Sequence, residues 1–353
     1  MQSIQGLMPE AIFTGIGGKK MIGAGLQSLE DIDKLAIMGF VEVIKHLSFF
    51  IELTKRILEN IKSVQPVQII LIDYPGFNLR LAKKIKKSFD IPITYYISPQ
   101  LWAWKEGRIE IIRGCIDQML VIFPFEANWY QKRGIQAKFV GHPIFDEWIP
   151  AHKHDLCNIL KLDPNKPIIT LFPGSRIQEI NRHLPLFIQV AKKLKHNNPQ
   201  IQFILGLAYG LNLDFISVPD WIQVEKDQPQ KALECADMTL VASGSATLEA
   251  AVFGTPMIII YKMAIISWWL SKLLVKADYA GMVNIIAGKK IMPEYLQNKA
   301  TVHSITNEAF EIINSPERQK QMKSELVRVQ KKLQGCGASK RAAEHILYLC
   351  RSK

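Results

Sequence analysis

The sequence predicts an α/β protein made of two doubly wound, parallel-sheet (Rossmann-like) domains. Three observations carry that expectation. At 353 residues the chain has room for two domains of ordinary size. Its strand-length runs are β-branched and apolar almost throughout rather than alternating, which is how strands read when both faces of a parallel sheet are covered. Those runs alternate with amphipathic stretches, and after a polar interval the pattern starts again.

The first run is Ala11–Ile16, followed by Val67–Asp73, Ile91–Ile97, Gln118–Phe123 and Ala137–Gly141. Between them, Leu79–Phe89 and Arg108–Gly114 space their apolar residues three and four apart, as helices do. Asp146–Pro167 holds prolines, charges and one short helical stretch, and is expected to connect two domains. The second series is Ile168–Phe172, Ile201–Leu207, Ile222–Glu225, Met238–Val241 and Met257–Tyr261. Pro316–Leu349 is helical and heavily charged on one face. The expected domains are therefore 1–150, 151–315, and C-terminal helices at 316–353 able to cross back to the first domain, with a cleft between the two sheets.

A net charge of +12 asks for an anionic partner: nucleic acid, an acidic membrane surface or a phosphorylated substrate. The lysines and arginines are scattered, and no RNA-binding signature is present, so nucleic acid is not expected. Five cysteines stand far apart without a C-x-x-C pair, which fits a reducing compartment and no metal cluster; neither metal nor cofactor is expected. Met1–Glu10 lacks the basic and apolar regions of a signal peptide, and the apolar stretch Pro256–Val275 is interrupted by Lys262 and Lys272, so no spanning helix is expected.

The most informative segment is Ser243-Gly244-Ser245-Ala246-Thr247-Leu248-Glu249, between an apolar run and a helix-like stretch. Small residues at a strand end let backbone N–H groups approach an anion, and the helix N-terminus adds partial positive charge. Glu249, about one turn in, is placed to accept ribose hydroxyls. The competing account is an ordinary Ser N-cap before a packed helix. Pro173-Gly174-Ser175-Arg176, with Glu179 three residues on, repeats the arrangement and adds a fixed cation suited to phosphate. Its competing account is a surface Arg176–Glu179 pair of little worth.

Asp73 ends a strand and precedes Tyr74-Pro75-Gly76-Phe77-Asn78. A carboxylate there faces the ligand crevice and can take a proton from a sugar hydroxyl, or it simply starts a Pro-Gly turn. Trp102 and Trp104, in Ser98-Pro99-Gln100-Leu101-Trp102-Ala103-Trp104, suit an acceptor pocket or plain core packing. His142 follows another strand and either shapes the cleft or serves as a structural hinge histidine. Asn284 and, further on, Glu294 and Gln297 are candidates to close over a nucleotide. In Leu35–Leu58, the residues Ile37, Met38, Phe40, Val41, Ile44 and Leu47 leave little polar face, with Lys34, Lys45, Lys55 and Arg56 around them. That is either a patch dipping into a membrane interface or a helix buried between layers.

Together these strings, with Gly15-Ile16-Gly17-Gly18, Ala36 to Val43, Phe123-Pro124-Phe125-Glu126 and Val140-Gly141-His142-Pro143, resemble the lipid-A-disaccharide synthase family in order and spacing from about Ala11 to the last helix. The resemblance implies an inverting glycosyltransferase of GT-B architecture. It implies UDP-2,3-diacylglucosamine as donor and 2,3-diacylglucosamine 1-phosphate (lipid X) as acceptor. The products would be a β-1,6-linked lipid A disaccharide 1-phosphate and UDP. It implies that Arg176 supports the departing diphosphate, with Asp73 the favoured base. It assigns Gly174, Ser175, Glu179, Ser243, Gly244, Ser245, Thr247, Glu249, Asn284, Glu294 and Gln297 to the UDP-sugar, and Gly17, Gly18, Asn78, Trp102, Trp104 and His142 to the acceptor side. It implies a cytoplasmic protein lying peripherally on the inner membrane of a Gram-negative bacterium.

Two departures stand out. The family's opening strand and Gly-Glu-Ala-Ser-Gly-Asp loop have no counterpart here, so the first domain is expected to lack a central strand and a cleft loop. Gly76 stands where some relatives carry a second Asp. Two alternatives stay open at this point. One is an inactive truncated copy that only binds lipid or UDP-sugar at a membrane surface. The other is a related GT-B enzyme with another lipid acceptor, or a UDP-sugar epimerase.

Overall fold

The computed structural model describes residues 1–32, 47–146, 148–208, 211, 216–264, 268 and 278–351. The chain separates into two compact units, Met1–Asp146 with Cys336–Lys353, and Glu147–Gly335. The expected C-terminal segment 316–353 is thus divided: the helix Pro316–Lys332 belongs to the second unit and the helix Ala338–Arg351 to the first. Gln334 and Gly335, both at positive φ (66° and 56°), turn the chain between them.

In the first unit, β1 (Phe13–Gly17) and β2 (Leu26–Asp31) form a parallel pair joined by the short helix Lys19–Gly23. A four-stranded parallel sheet follows in the order β3 (Ile69–Ile72), β4 (Ile93–Tyr96), β5 (Gln118–Val121) and β6 (Ala137–Phe139). Alternate residues serve opposite faces. Leu71, Ile93, Tyr95, Met119 and Val121 pack with apolar residues of the helices Leu47–Val64, Pro75–Ser88 and Ile109–Cys115. On the other face, Ile70, Tyr96 and Leu120 pack with Ile4 and with Ala342, Ala343, Ile346 and Leu347 of the C-terminal helix. Of the apolar patch read in the sequence, Ile37, Met38, Phe40, Val41 and Ile44 lie outside the described residues, and Leu47 opens the helix Leu47–Val64. Among the described residues no helix is long and apolar enough to cross a membrane.

The second unit holds a six-stranded, all-parallel sheet. Its order is β12 (Glu294–Leu296), β11 (Met257–Tyr261), β10 (Met238–Ala242), β7 (Ile168–Phe172), β8 (Gln202–Gly206) and β9 (Ile222–Glu225). The central strands β7 and β10 are buried at every position, which is why they read as continuous apolar runs. Their threonines are satisfied internally: Thr170 donates to the Ala232 carbonyl (2.6 Å), and Thr239 to that of Thr170 (3.0 Å). From β7 the chain winds first through β8 and β9, then returns to β10, β11 and β12 on the other side. The strand order therefore reverses between β7 and β10, and in a doubly wound sheet the crevice outside the carboxyl ends at that point takes the ligand.

The structure adds β2 and β12 to the strands expected. Gln27 and Ser28 are exposed in β2, and β12 has only three residues, so neither carries a long apolar run.

Candidate functional site

At the switch point β7 runs into Pro173 and Gly174. Gly174 has φ +126°, and a Cβ there would meet Glu179 Oε2 at 2.5 Å and Glu179 Cβ at 2.6 Å. The turn closes this tightly because Glu179 folds back under it, and its Oε2 accepts the Ser175 N–H at 3.0 Å. Glu179 Oε1 lies 3.6 Å from Arg176 Nη1, and the Arg176 side chain is 82% exposed. A pair that loose and solvated contributes little, so the guanidinium fork stays open for an anion. Glu179 thus neighbours Arg176 without occupying its guanidinium.

The neighbouring strand β10 ends at Ser243-Gly244-Ser245, and the helix Ala246–Phe253 follows. Ser243 continues the sheet ladder, its N–H reaching the Ile260 carbonyl (3.0 Å), while its hydroxyl donates to Ala280 (2.7 Å). Gly244 and Ser245 are exposed. Thr247 is wholly buried and donates to the Gly244 carbonyl at 2.7 Å, so it shapes the turn from below. Glu249 is half-buried, and among the described residues nothing hydrogen-bonds its carboxylate. Desolvation holds its pKa above the ordinary range. A ligand hydroxyl would relieve that burial.

Asn284, Glu294 and Gln297 make a wall beside this turn. Glu294 accepts the N–H groups of Ala280 (3.0 Å) and Gly281 (2.9 Å) and the Asn284 amide (2.8 Å). The buried Asn284 also gives its amide to the Met292 carbonyl and accepts the N–H groups of Ile291 and Met292, all at 2.9 Å. Gln297 meets the N–H and carbonyl of Met263, each at 3.3 Å. Glu294 thus holds the backbone at Ala280, whose carbonyl the Ser243 hydroxyl reaches.

The first unit carries the other candidates. Asp73 and Tyr74 follow β3 with φ of 45° each, a left-handed pair that is uncommon outside glycine. Two donors hold the turn at the Asp73 carbonyl: the Tyr95 hydroxyl at 2.6 Å and the Asn78 amide at 2.7 Å. Strained backbone held by its surroundings is a mark of functional positions. Desolvation raises the Asp73 carboxyl, opposed by a hydrogen bond from the Tyr74 backbone. The residue itself is exposed, so the shift reflects the protein lying to one side of the carboxyl rather than enclosure.

Trp102 packs edge-on to Phe125 (centroids 5.0 Å apart), Phe125 stacks on Phe123 (5.8 Å), and Phe123 meets His142 (5.5 Å). Glu126, wholly buried, anchors the row. One oxygen accepts the Trp102 indole N–H at 3.1 Å and the other the Phe123 N–H at 3.2 Å. Burial pushes its pKa up to about 7 against hydrogen bonds that favour the ion. His142 Nδ1 accepts the Ile144 N–H at 3.2 Å, and burial lowers its pKa to about 4 although Asp146 pulls the other way. The ring is therefore neutral at pH 7, with its proton on Nε2. Trp104 is exposed, with Lys105 Nζ 4.2 Å above its ring. Gly17 is fixed by packing, since a Cβ would lie 2.6 Å from Leu26 Cδ2, and Gly18 precedes the helix Lys19–Gly23 as its N-cap.

Three functional candidates escaped the sequence reading: Tyr95, the anchoring role of Glu126, and His183, which is buried beneath the Pro173 turn. Each acts on a partner remote in sequence, and only a β-strand or helix position gave a local signal. Among the described residues no cluster of three or more His, Cys, Asp or Glu is arranged to hold a metal ion.

Comparison with known proteins identifies the fold and the family. Among solved structures, the kitacinnamycin glycotransferase aligns over 98% of this chain and 94% of its own, with a TM-score of 0.61 at 13% identity. UDP-GlcNAc 2-epimerase from Neisseria meningitidis aligns over 97% and 100%, with a TM-score of 0.59 at 12% identity. Likeness at that identity speaks for the fold, two parallel-sheet α/β domains of the GT-B kind, and not for a reaction. Sequence carries further. The lipid-A-disaccharide synthase of Coxiella burnetii (strain Dugway 5J108-111) is 39% identical over 317 residues, 89% of this chain and 84% of that protein. The family model described as lipid-A-disaccharide synthetase matches residues 1–347. On that match and that identity, the protein belongs to the lipid-A-disaccharide synthase family of glycosyltransferases.

Proposed function

We propose that this chain transfers a 2,3-diacylglucosamine unit from UDP to the 6-hydroxyl of 2,3-diacylglucosamine 1-phosphate. The products are the β-1,6-linked disaccharide 1-phosphate and UDP. The observation that carries the reading is the open Arg176 fork beside the Gly174 turn, which follows the strand next to the exposed Gly244-Ser245 turn, at the reversal of strand order. The diphosphate lies on Gly174, Ser175, Ser243, Gly244 and Ser245, and Glu249 takes the ribose hydroxyls. Asn284, Glu294 and Gln297 hold the adjoining wall.

The chemistry follows from these residues. Asp73 takes the proton of the acceptor hydroxyl as its oxygen bonds to the anomeric carbon from the face opposite UDP. The carbon–oxygen bond to the β-phosphate breaks, and its electron pair stays on the diphosphate. Arg176 meets the charge that builds there, as a metal ion would elsewhere. Trp102, Trp104, His142 and Asn78 line the acceptor side, with Gly17 and Gly18 in the nearby strand turn. The +12 charge and the sequence Ile37–Leu47 favour docking on an anionic membrane surface, where both acylated substrates reside.

Asp73→Asn tests the base. It should lower kcat by about 100- to 10,000-fold, the range for loss of a general base, while UDP binding measured by calorimetry stays within about threefold. A variant with near-normal turnover would remove Asp73 from the reaction.

A further inference from the structure

The strand β10 has β7 on one side and β11 on the other, and one side chain joins the exits of those two flanking strands. His183 lies in the helix Ile177–Asn197 and has no exposed surface. Its Nδ1 is 3.0 Å from the carbonyl of Pro173, the residue before Gly174. Its Nε2 accepts the N–H of Lys262, the first residue after β11, at 2.9 Å. Only the neutral ring with its proton on Nδ1 can make both bonds, and burial lowers the pKa in the direction that keeps it neutral. Tyr261 and Phe187 flank the ring at centroid distances of 6.1 and 6.2 Å. A buried histidine needs partners, but here both are backbone groups of the two exits beside the Ser243–Ser245 turn.

We propose that His183 is a positioning residue for donor cleavage: by tying the Pro173 carbonyl to the Lys262 amide it fixes where the Gly174–Arg176 turn stands, and so where the Arg176 guanidinium meets the leaving diphosphate. This rests on the reading of that turn as the diphosphate site. Arg176 is exposed and only loosely paired with Glu179, so its reach is set by its backbone origin. A shift of that origin by about 1 Å is enough to cost on the order of 100-fold in rate.

Three substitutions separate the two bonds. His183→Asn keeps a donor near the Nδ1 position, His183→Gln keeps an acceptor near the Nε2 position, and His183→Phe keeps a ring and loses both. Saturating kcat should fall roughly threefold to tenfold in the Asn and Gln variants and about 100-fold in the Phe variant, with donor KM within about threefold of the parent. The decisive measurement repeats His183→Phe in an Arg176→Lys background. If His183 acts through Arg176, its loss there shrinks to a few-fold, because the interaction it positions is already impaired. A full multiplicative loss overturns the proposal, as does parental kcat in His183→Asn and His183→Gln proteins whose melting temperatures match the parent. Should Arg176→Lys and Arg176→Ala both turn over at the parental rate, the diphosphate reading of the turn itself falls, an outcome distinct from His183 variants that are active while Arg176 variants are not.

Discussion

At the scale of single residues, several groups that matter most here are anchors beneath the groups proposed to meet ligand. Glu126 holds Trp102 and Phe123, Tyr95 holds the Asp73 carbonyl, and Glu179 holds the Ser175 amide. Glu126 also leaves a pH signature. Its folded pKa stands at about 7 against an ordinary 4.5. As pH rises through that window the unfolded carboxyl ionises while the folded one keeps its proton. Wild-type stability should therefore fall between those values, by up to about 3 kcal/mol, and level off above. Glu126→Gln resembles the protonated acid and lacks that slope. Its melting temperature relative to the parent should climb from about pH 5 to about pH 8; a constant offset would contradict a neutral buried Glu126. The Gly174–Arg176 and Ser243–Ser245 turns were legible in the sequence because each is a contiguous string with its chemistry in order. The use of His183 was not, since its partner Lys262 lies 79 positions away.

At the scale of elements, most strands were legible from their apolar runs. The expected limits of β7, β9 and β11 match the observed strands, and β10 extends one residue further. β2 and β12 carry too little apolar sequence to announce themselves. The C-terminal helices read as one charged stretch because amphipathic spacing persists on both sides of Gln334-Gly335, and only the local turn divides them. The last of them is fixed by Asp146. Its Oδ1 accepts the N–H groups of Gly337 (2.6 Å) and Ala338 (3.1 Å), and its Oδ2 that of Ser339 (2.7 Å). Desolvation works to raise the Asp146 pKa, but these bonds and the Ser339 hydroxyl outweigh it and hold it below the ordinary 3.8. The stabilisation is thus present above that value and is lost as pH falls through the folded pKa. Asp146→Ala should cost about 1–2 kcal/mol in urea unfolding near pH 7, in the range of helix N-caps, and progressively less as pH falls below 3.8. A cost that does not change with falling pH would show that the carboxylate is not the cap.

At the scale of the whole molecule, a basic chain with two parallel-sheet units is asked to work on substrates that are both acylated and phosphorylated. The parallel-sheet fold was legible because strand and helix periods alternate twice along the chain. The expected domain limits placed all the final helices in one segment because periodicity reports helices but not which sheet they cover. Vesicle flotation tests the membrane side of the proposal. The chain should float with anionic phospholipid vesicles, lose binding as salt rises, and bind more weakly as Phe40→Asp; equal binding to neutral vesicles would contradict it. The proposed reaction itself is tested most directly by mass-detected disaccharide 1-phosphate formation from UDP-2,3-diacylglucosamine and 2,3-diacylglucosamine 1-phosphate in mixed micelles with EDTA, comparing the parent with Arg176→Ala. Product from the parent, reduced by at least about 100-fold in the variant, is the expected result. No product from a folded parent, or equal product from both, would contradict it.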